Sequence, residues 1–196
     1  RMLMDRGRLD EAQQTYEGAL AASRKVHPEA HVEAGYLLAS LGRLALERKQ
    51  SAQAERRYRE AIGTYEASLP AGHGYTAAAL TMLGRAQLEL GRSQDAETTL
   101  KRALEAWSKG YGVDSAYYAQ TRAVLGRTWA VQRRFAEAEP ALTETYPLLV
   151  QARLDDQLTA TVRYWIEDLY RATGRPQQAQ AYFRQVETQQ RATRTP

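Results

Sequence analysis

Arginines recur along this chain at one interval: Arg1, Arg43, Arg85 and Arg127 stand 42 residues apart, and the next equivalent position holds Asp168. A guanidinium matches a carboxylate through two parallel N–H···O bonds, so such a row is chemistry for holding acidic groups or a C-terminal carboxylate. Glu47 and Glu89 follow Arg43 and Arg85 by four residues, which on a helix allows local ion pairs contributing only about 0.3–0.5 kcal/mol. Arg127 has Val131 at that place and is expected to be the freest cation. Tyr75 and Tyr117 occupy equivalent places near the starts of their segments, with Tyr36 and Tyr164 further along theirs. Rings so placed serve either to pack neighbouring helices or to hold a peptide.

Other reactive constellations are sparse. His27 and His31 have the i, i+4 spacing of zinc ligands on a helix, but Pro28 separates them and no third histidine or cysteine stands nearby. His31 and His73 align with each other along the repeat, which gives both a structural place and leaves no metal site expected. Cysteine does not occur, so disulfides, thiolate nucleophiles and thiolate metal sites are excluded. No glycine-rich phosphate loop, Gly-x-Ser-x-Gly elbow or His-Glu-x-x-His motif appears. No catalytic residue and no cofactor is expected; the chain reads as a non-enzymatic binder.

The elements that must carry these side chains are themselves periodic. Ala12, Ala54, Ala96 and Ala138 coincide after shifts of 42, and Ala179 follows after 41. Gly42, Gly84 and Gly126 each precede one of these alanines by twelve residues, and Tyr16, Tyr58, Leu100, Leu142 and Phe183 follow them by four. Small residues at matched places let two helices approach closely, while the large residue on the same helical face as the alanine is expected to fill the layer beneath the next hairpin. Leu37, Leu38, Leu41, Leu44 and Ala45 have amphipathic-helix spacing, and no stretch alternates with period two. The fold class is therefore all-α, built from antiparallel helical hairpins.

Punctuation divides the chain consistently. Pro28 suits the first turn of a helix running to about Lys49; Ser51, Ser93 and Asp114 are candidate caps, the Asp155-Asp156 pair suits a helix start, and Pro176 stands where a last helix begins. Pro140 falls early in its helix, but Pro147 is deep enough to kink or fray it. The predicted units are 1–26 (incomplete), 27–69, 70–111, 112–153 and 154–190, with a tail at 191–196, all in one array. Because Arg1–Arg6 correspond to Arg43–Arg48, the chain opens inside a repeat and is read as a fragment. Net charge is +4 with a pI near 9.4, yet the cations are mostly arginine and asparagine is missing, which fits a GC-rich genome better than a nucleic-acid footprint. No apolar run spans a membrane and no signal peptide stands at the start, so a cytoplasmic location is expected.

Glycine and alanine twelve apart, leucine before the glycine and an aromatic four after the alanine together resemble the tetratricopeptide consensus. The 42-residue length is similar to the subclass of kinesin light chains and bacterial signalling proteins, and Leu69-Pro-Ala-Gly-His73-Gly-Tyr-Thr-Ala77 resembles its linking segment. The resemblance implies a right-handed α-solenoid whose first helices line a concave groove, with Arg43, Arg85, Arg127, Tyr36, Tyr75 and Tyr117 as candidate contacts for a peptide or partner protein, acidic ones included. Relatives of the kinesin light chain type hold peptide backbones with paired asparagines; here those positions are Ala39-Ser40, Thr81-Met82 and Ala123-Val124, so that clamp is missing. The implied role is a scaffold within a larger bacterial protein. The alternatives are a nucleic-acid-binding helical-repeat module, or the sensor region of a multidomain enzyme such as a serine/threonine kinase.

Overall fold

The turn that reverses the chain inside each hairpin sets the architecture. At its apex stands a residue with left-handed backbone: Lys49 (φ 57°), Gly91 (φ 75°), Arg133 (φ 63°) and Gly174 (φ 73°). The amide after each apex reaches back five residues, Gln50 N–H to the Ala45 carbonyl at 2.8 Å, and likewise Arg92 to Gln87, Arg134 to Trp129 and Arg175 to Tyr170. This satisfies carbonyls that the helix end would otherwise strand. Glycine adopts that conformation freely, whereas Lys49 and Arg133 do so at a cost of about 1 kcal/mol.

The computed structural model describes residues 8–27, 31–153 and 155–192, and among these every regular element is an α-helix. In order they are α1 (Leu9–Val26), α2 (Val32–Glu47), α3 (Ser51–Ser68), α4 (Gly74–Glu89), α5 (Ser93–Tyr111), α6 (Ala116–Val131), α7 (Phe135–Thr143), α8 (Tyr146–Ala152), α9 (Asp156–Ala172) and α10 (Pro176–Ala192). The expectations placed on Arg1–Arg6 and on Pro28 lie outside the described residues. Two compact units emerge, divided between Gly112 and Val113, where Gly112 (φ 83°) ends α5.

In the first unit α1 packs on α2, α2 on α3, α3 on α4 and α4 on α5. Ala54 and Ala96 are fully buried, and the close approach is between the glycine of the first helix and the large residue of the second. A methyl group on Gly84 would lie 2.6 Å from Leu100 Cγ, and one on Gly42 3.0 Å from the Tyr58 ring. The large residue thus lies against the glycine of its own hairpin, and Tyr58 also shares a cavity lining with Ala78, Ala79 and Met82 of the next hairpin, as expected of a residue beneath it. The second unit repeats the arrangement with α6 against α7 and α8, and α9 against α10. Here the second helix breaks at Glu144–Thr145, just before Pro147, whose missing amide hydrogen falls in the first turn of α8, where no helical bond needs it.

The first helices are capped by side chains, whereas α1, α3, α5 and α7 are not. His31 and His73 accept the Glu33 and Tyr75 amides through Nδ1; Ser115 and Asp155 accept those of Tyr118 and Leu158. The alignment of His31 with His73 is therefore one of capping roles, and Ser115 caps α6 where Asp114 was expected. Ser51 does not cap α3 either: Gln50 holds the cap position, and the Ser51 hydroxyl donates to Glu89.

Candidate functional site

Side by side in the first unit, α2 and α4 expose the residues that follow the helix starts and the consensus glycines. Tyr36 and Tyr75 are about half exposed, at 56% and 49%, because on these helices the inward positions are already taken by Leu37, Leu38, Ala79 and Leu80. Between them opens a cavity of about 290 Å³ lined by Tyr36, Ala39, Ser40, Arg43, Tyr58, Tyr65, Tyr75, Ala78, Ala79 and Met82. Its walls are largely aromatic: the Tyr65 and Tyr75 rings lie 5.6 Å apart and tilted, and His73 meets Tyr75 edge-on at 4.9 Å. Ser40 spends its hydroxyl on the Tyr36 carbonyl at 2.9 Å.

The floor is unlike the walls. Tyr58 is 2% exposed, and its hydroxyl has no hydrogen-bond partner. Burying a hydroxyl without a partner costs about 1–3 kcal/mol. Burial raises its pKa; the Arg43 and Arg85 charges oppose that rise and the Glu47 and Glu89 charges add to it, so the phenol stays neutral. Tyr65 is likewise raised by burial, with Tyr75 and Tyr36 adding to it. Of the ladder in this unit, Arg43 lines the cavity, while Arg85 makes the local pair with Glu89 at 3.5 Å.

The other candidates lie in the second unit. Arg127, expected to be the freest cation, is instead bonded to Asp168 at 2.6 Å. The reason is positional: the ladder's fifth place holds an acid, so the adjacent first helices α6 and α9 present opposite charges at matched positions. Tyr117 is 43% exposed near the start of α6 and Tyr164 is 55% exposed on α9. The structure thus unites Tyr36, Tyr75 and Arg43 in one cavity. Sequence reasoning missed Tyr58, Tyr65, Ala78 and Met82 as part of it; the available signal was that Tyr58, like Tyr16, brings a hydroxyl to a place where Leu100, Leu142 and Phe183 are purely apolar.

Among the described residues one cluster has metal-ligand types, His27, His31 and Glu33, each with a ligand atom within 4.8 Å of the others. The two imidazoles are stacked at 4.2 Å and nearly parallel, so their in-plane lone pairs run alongside one another and do not converge on a point. His31 Nδ1 is also spent on its cap. Among the described residues no helix is long and apolar enough to cross a membrane.

The tetratricopeptide repeat family profile matches residues 1–67 and 75–149. The chain belongs to that family. In fold it is similar to a putative kinesin light chain with nearly identical TPR-like repeats from Podosopora anserina, at TM-score 0.76 and 20% identity over 100% of this chain and 93% of the other. It is also similar to BtubC (BKLC) from P. vanneervenii, at TM-score 0.77 and 16% identity over 99% and 78% of the two chains. The apo form of RapI matches at TM-score 0.76 and 13% identity, over 95% and 66%. No curated protein matches the sequence. The repeats are thus tetratricopeptide repeats, and in fold they resemble the TPR-like repeats of that putative kinesin light chain.

Proposed function

We propose that this tetratricopeptide segment is a protein-binding scaffold that engages a peptide or partner domain on the first-helix face of the α2–α5 hairpins, as the regulatory part of a larger bacterial protein. The observation that carries this reading is the open, tyrosine-walled cavity between α2 and α4, with Arg43 at its edge and the unpartnered Tyr58 hydroxyl at its floor. Exposed aromatic rings around a small apolar seat provide contact area at little conformational cost, which is how a few residues come to dominate binding. A fold of stacked hairpins favours this role over catalysis, because it offers an extended surface.

The test is selection of a random peptide library on the full chain, followed by binding of the selected peptides to a Tyr36→Ala/Tyr75→Ala variant and to an Ala78→Glu variant. Selected peptides are expected to lose at least tenfold in affinity on both variants, whose helical content should match the wild type. Failure to enrich any peptide, or unchanged binding to both, overturns the reading.

A further inference from the structure

We infer that the α2–α4 cavity is a seat for a single tyrosyl side chain, and that the Tyr58 hydroxyl is the group that reads its phenol oxygen; this rests on the protein-binding reading above. Three observations select the occupant. The cavity, about 290 Å³, lies at the small end of ligand pockets, so it takes one large side chain and not an extended group. Its walls, Tyr36, Tyr65, Tyr75, Ala39, Ala78, Ala79 and Met82, are rings, methyl groups and a thioether, which favour a flat apolar body. Its floor carries one unmet hydrogen-bonding group, the Tyr58 hydroxyl. A neutral phenol both donates and accepts, so an inserted oxygen at that depth ends the unpaired state.

Charge decides between a neutral and an anionic tip. The charges acting on the Tyr58 oxygen are Arg43 and Arg85 on one side and Glu47 and Glu89 on the other, and Arg85 is already held by Glu89. Burial outweighs all four charges at this oxygen, so a carboxylate or phosphate brought to the same depth would meet a desolvation cost that the two arginines do not repay. A neutral hydroxyl fits; a glutamate or phosphotyrosine does not. The hydroxyl atom is itself buried, so an entering phenol must displace the wall beside it; Met82, half-buried and unbranched, is the lining side chain that changes rotamer most readily.

The position itself argues for a ligand-reading role. Three of the other four equivalent places hold Leu100, Leu142 and Phe183, all buried, and the fourth holds Tyr16, so the fold needs bulk here but no oxygen. Tyr58→Phe therefore keeps the packing and removes an unpaired polar group, a change that is neutral or stabilising for folding.

The experiment titrates the full chain with the pentapeptides acetyl-Ala-Ala-X-Ala-Ala-amide, where X is Tyr, Phe, Glu or phosphotyrosine, following the 13C-methyl signal of Met82. The tyrosine peptide is expected to bind about tenfold more tightly than the phenylalanine peptide and more tightly than both anionic ones. In Tyr58→Phe the tyrosine-to-phenylalanine ratio is expected to fall to about one, with the urea midpoint unchanged or raised. Equal or tighter binding of the phenylalanine peptide, or a tyrosine preference that survives in Tyr58→Phe, overturns the inference while leaving the scaffold reading standing. A tighter anionic peptide, or none of the four shifting Met82, overturns it as well; the library selection separately decides the scaffold reading.

Discussion

The two units solve the same backbone problem with different side chains, and each difference changes what the surface can do. In the first unit, neighbouring first helices carry Arg43 and Arg85 at matched positions; like charges cannot pair, and the ground between them stays open. In the second, the same positions hold Arg127 and Asp168, which bond to each other at 2.6 Å. Against the consensus glycine the first unit places Tyr58 on Gly42 and Leu100 on Gly84, the second Leu142 on Gly126. The first unit caps its first helices with histidine, the second with serine and aspartate. One repeat geometry thus supports an open aromatic seat in one unit and a closed ion pair in the other. The fold supplies positions, and the side chains at a few of them decide between binding and packing.

Among the consensus glycines the largest effect is expected where the contact is tightest, at Gly84. In Gly84→Ala the new methyl would meet Leu100, fully buried, at 2.6 Å. Overpacking of this kind costs about 1–3 kcal/mol, against about 1 kcal/mol gained from helix propensity, so a net loss of up to about 2 kcal/mol is expected. Gly126→Ala meets Ala141 and Leu142 at 3.0 Å and should come out near neutral. Gly63→Ala, with nothing within 4 Å, should stabilise by about 0.5–1 kcal/mol. Urea unfolding with helix-resolved hydrogen exchange reads all three; equal losses at Gly84 and Gly126 would mean that the two units pack alike.

Next in size are the caps and a buried carboxylate. His73→Ala removes the acceptor for the Tyr75 amide and is expected to cost about 1 kcal/mol, as is Ser115→Ala, whereas His73→Ser should be close to neutral. Hydrogen exchange of the α4 and α6 first turns measures the two against each other. Glu55 is 8% exposed; burial pushes its pKa up, but Arg59 and Arg92 outweigh this and hold it below the usual carboxylate range. A lowered pKa gives stability that is fully present above the unfolded-state value, about 4.3, and is lost as pH falls through the folded one. The first unit should therefore lose stability below about pH 4, and Glu55→Gln should flatten that acid limb by about 1 kcal/mol. An acid limb identical in the variant would assign the loss to other carboxylates.

How far such contrasts were legible in the sequence depends on whether the deciding partner is local. The hairpin division was legible because alanines 42 apart, glycines twelve before them and turn residues such as Gly91 and Gly174 are short-range signals. The positive φ at Lys49 and Arg133 was not, since neither residue type demands it; only alignment with those glycines points there. At the site, Tyr36, Tyr75 and Arg43 were legible as positions, and their meeting in one cavity depends on how α2 and α4 pack. Arg127 shows the limit most plainly. Four residues on stands Val131, which cannot pair with it, while the actual partner, Asp168, is 41 positions away and visible in the sequence only as the odd member of the ladder.

That pair gives the smallest and most pointed test of the comparison. Arg127 and Asp168 keep 26% and 34% of their side-chain surface exposed, so water screens them and their coupling should be about 0.5–1 kcal/mol in a double-mutant cycle with alanine. Asp168 also has Arg171 at 3.9 Å, so Asp168→Ala should cost slightly more than Arg127→Ala. Asp168→Arg converts the second unit to the charge pattern of the first, two arginines at matched positions on adjacent first helices. If like charges are what keep that ground open, the variant should gain reactivity of Arg127 toward a guanidinium-modifying dicarbonyl over the wild type, with a stability loss of about 1 kcal/mol. Unchanged reactivity would show that packing between α6 and α9, and not the sign of one side chain, closes the second unit.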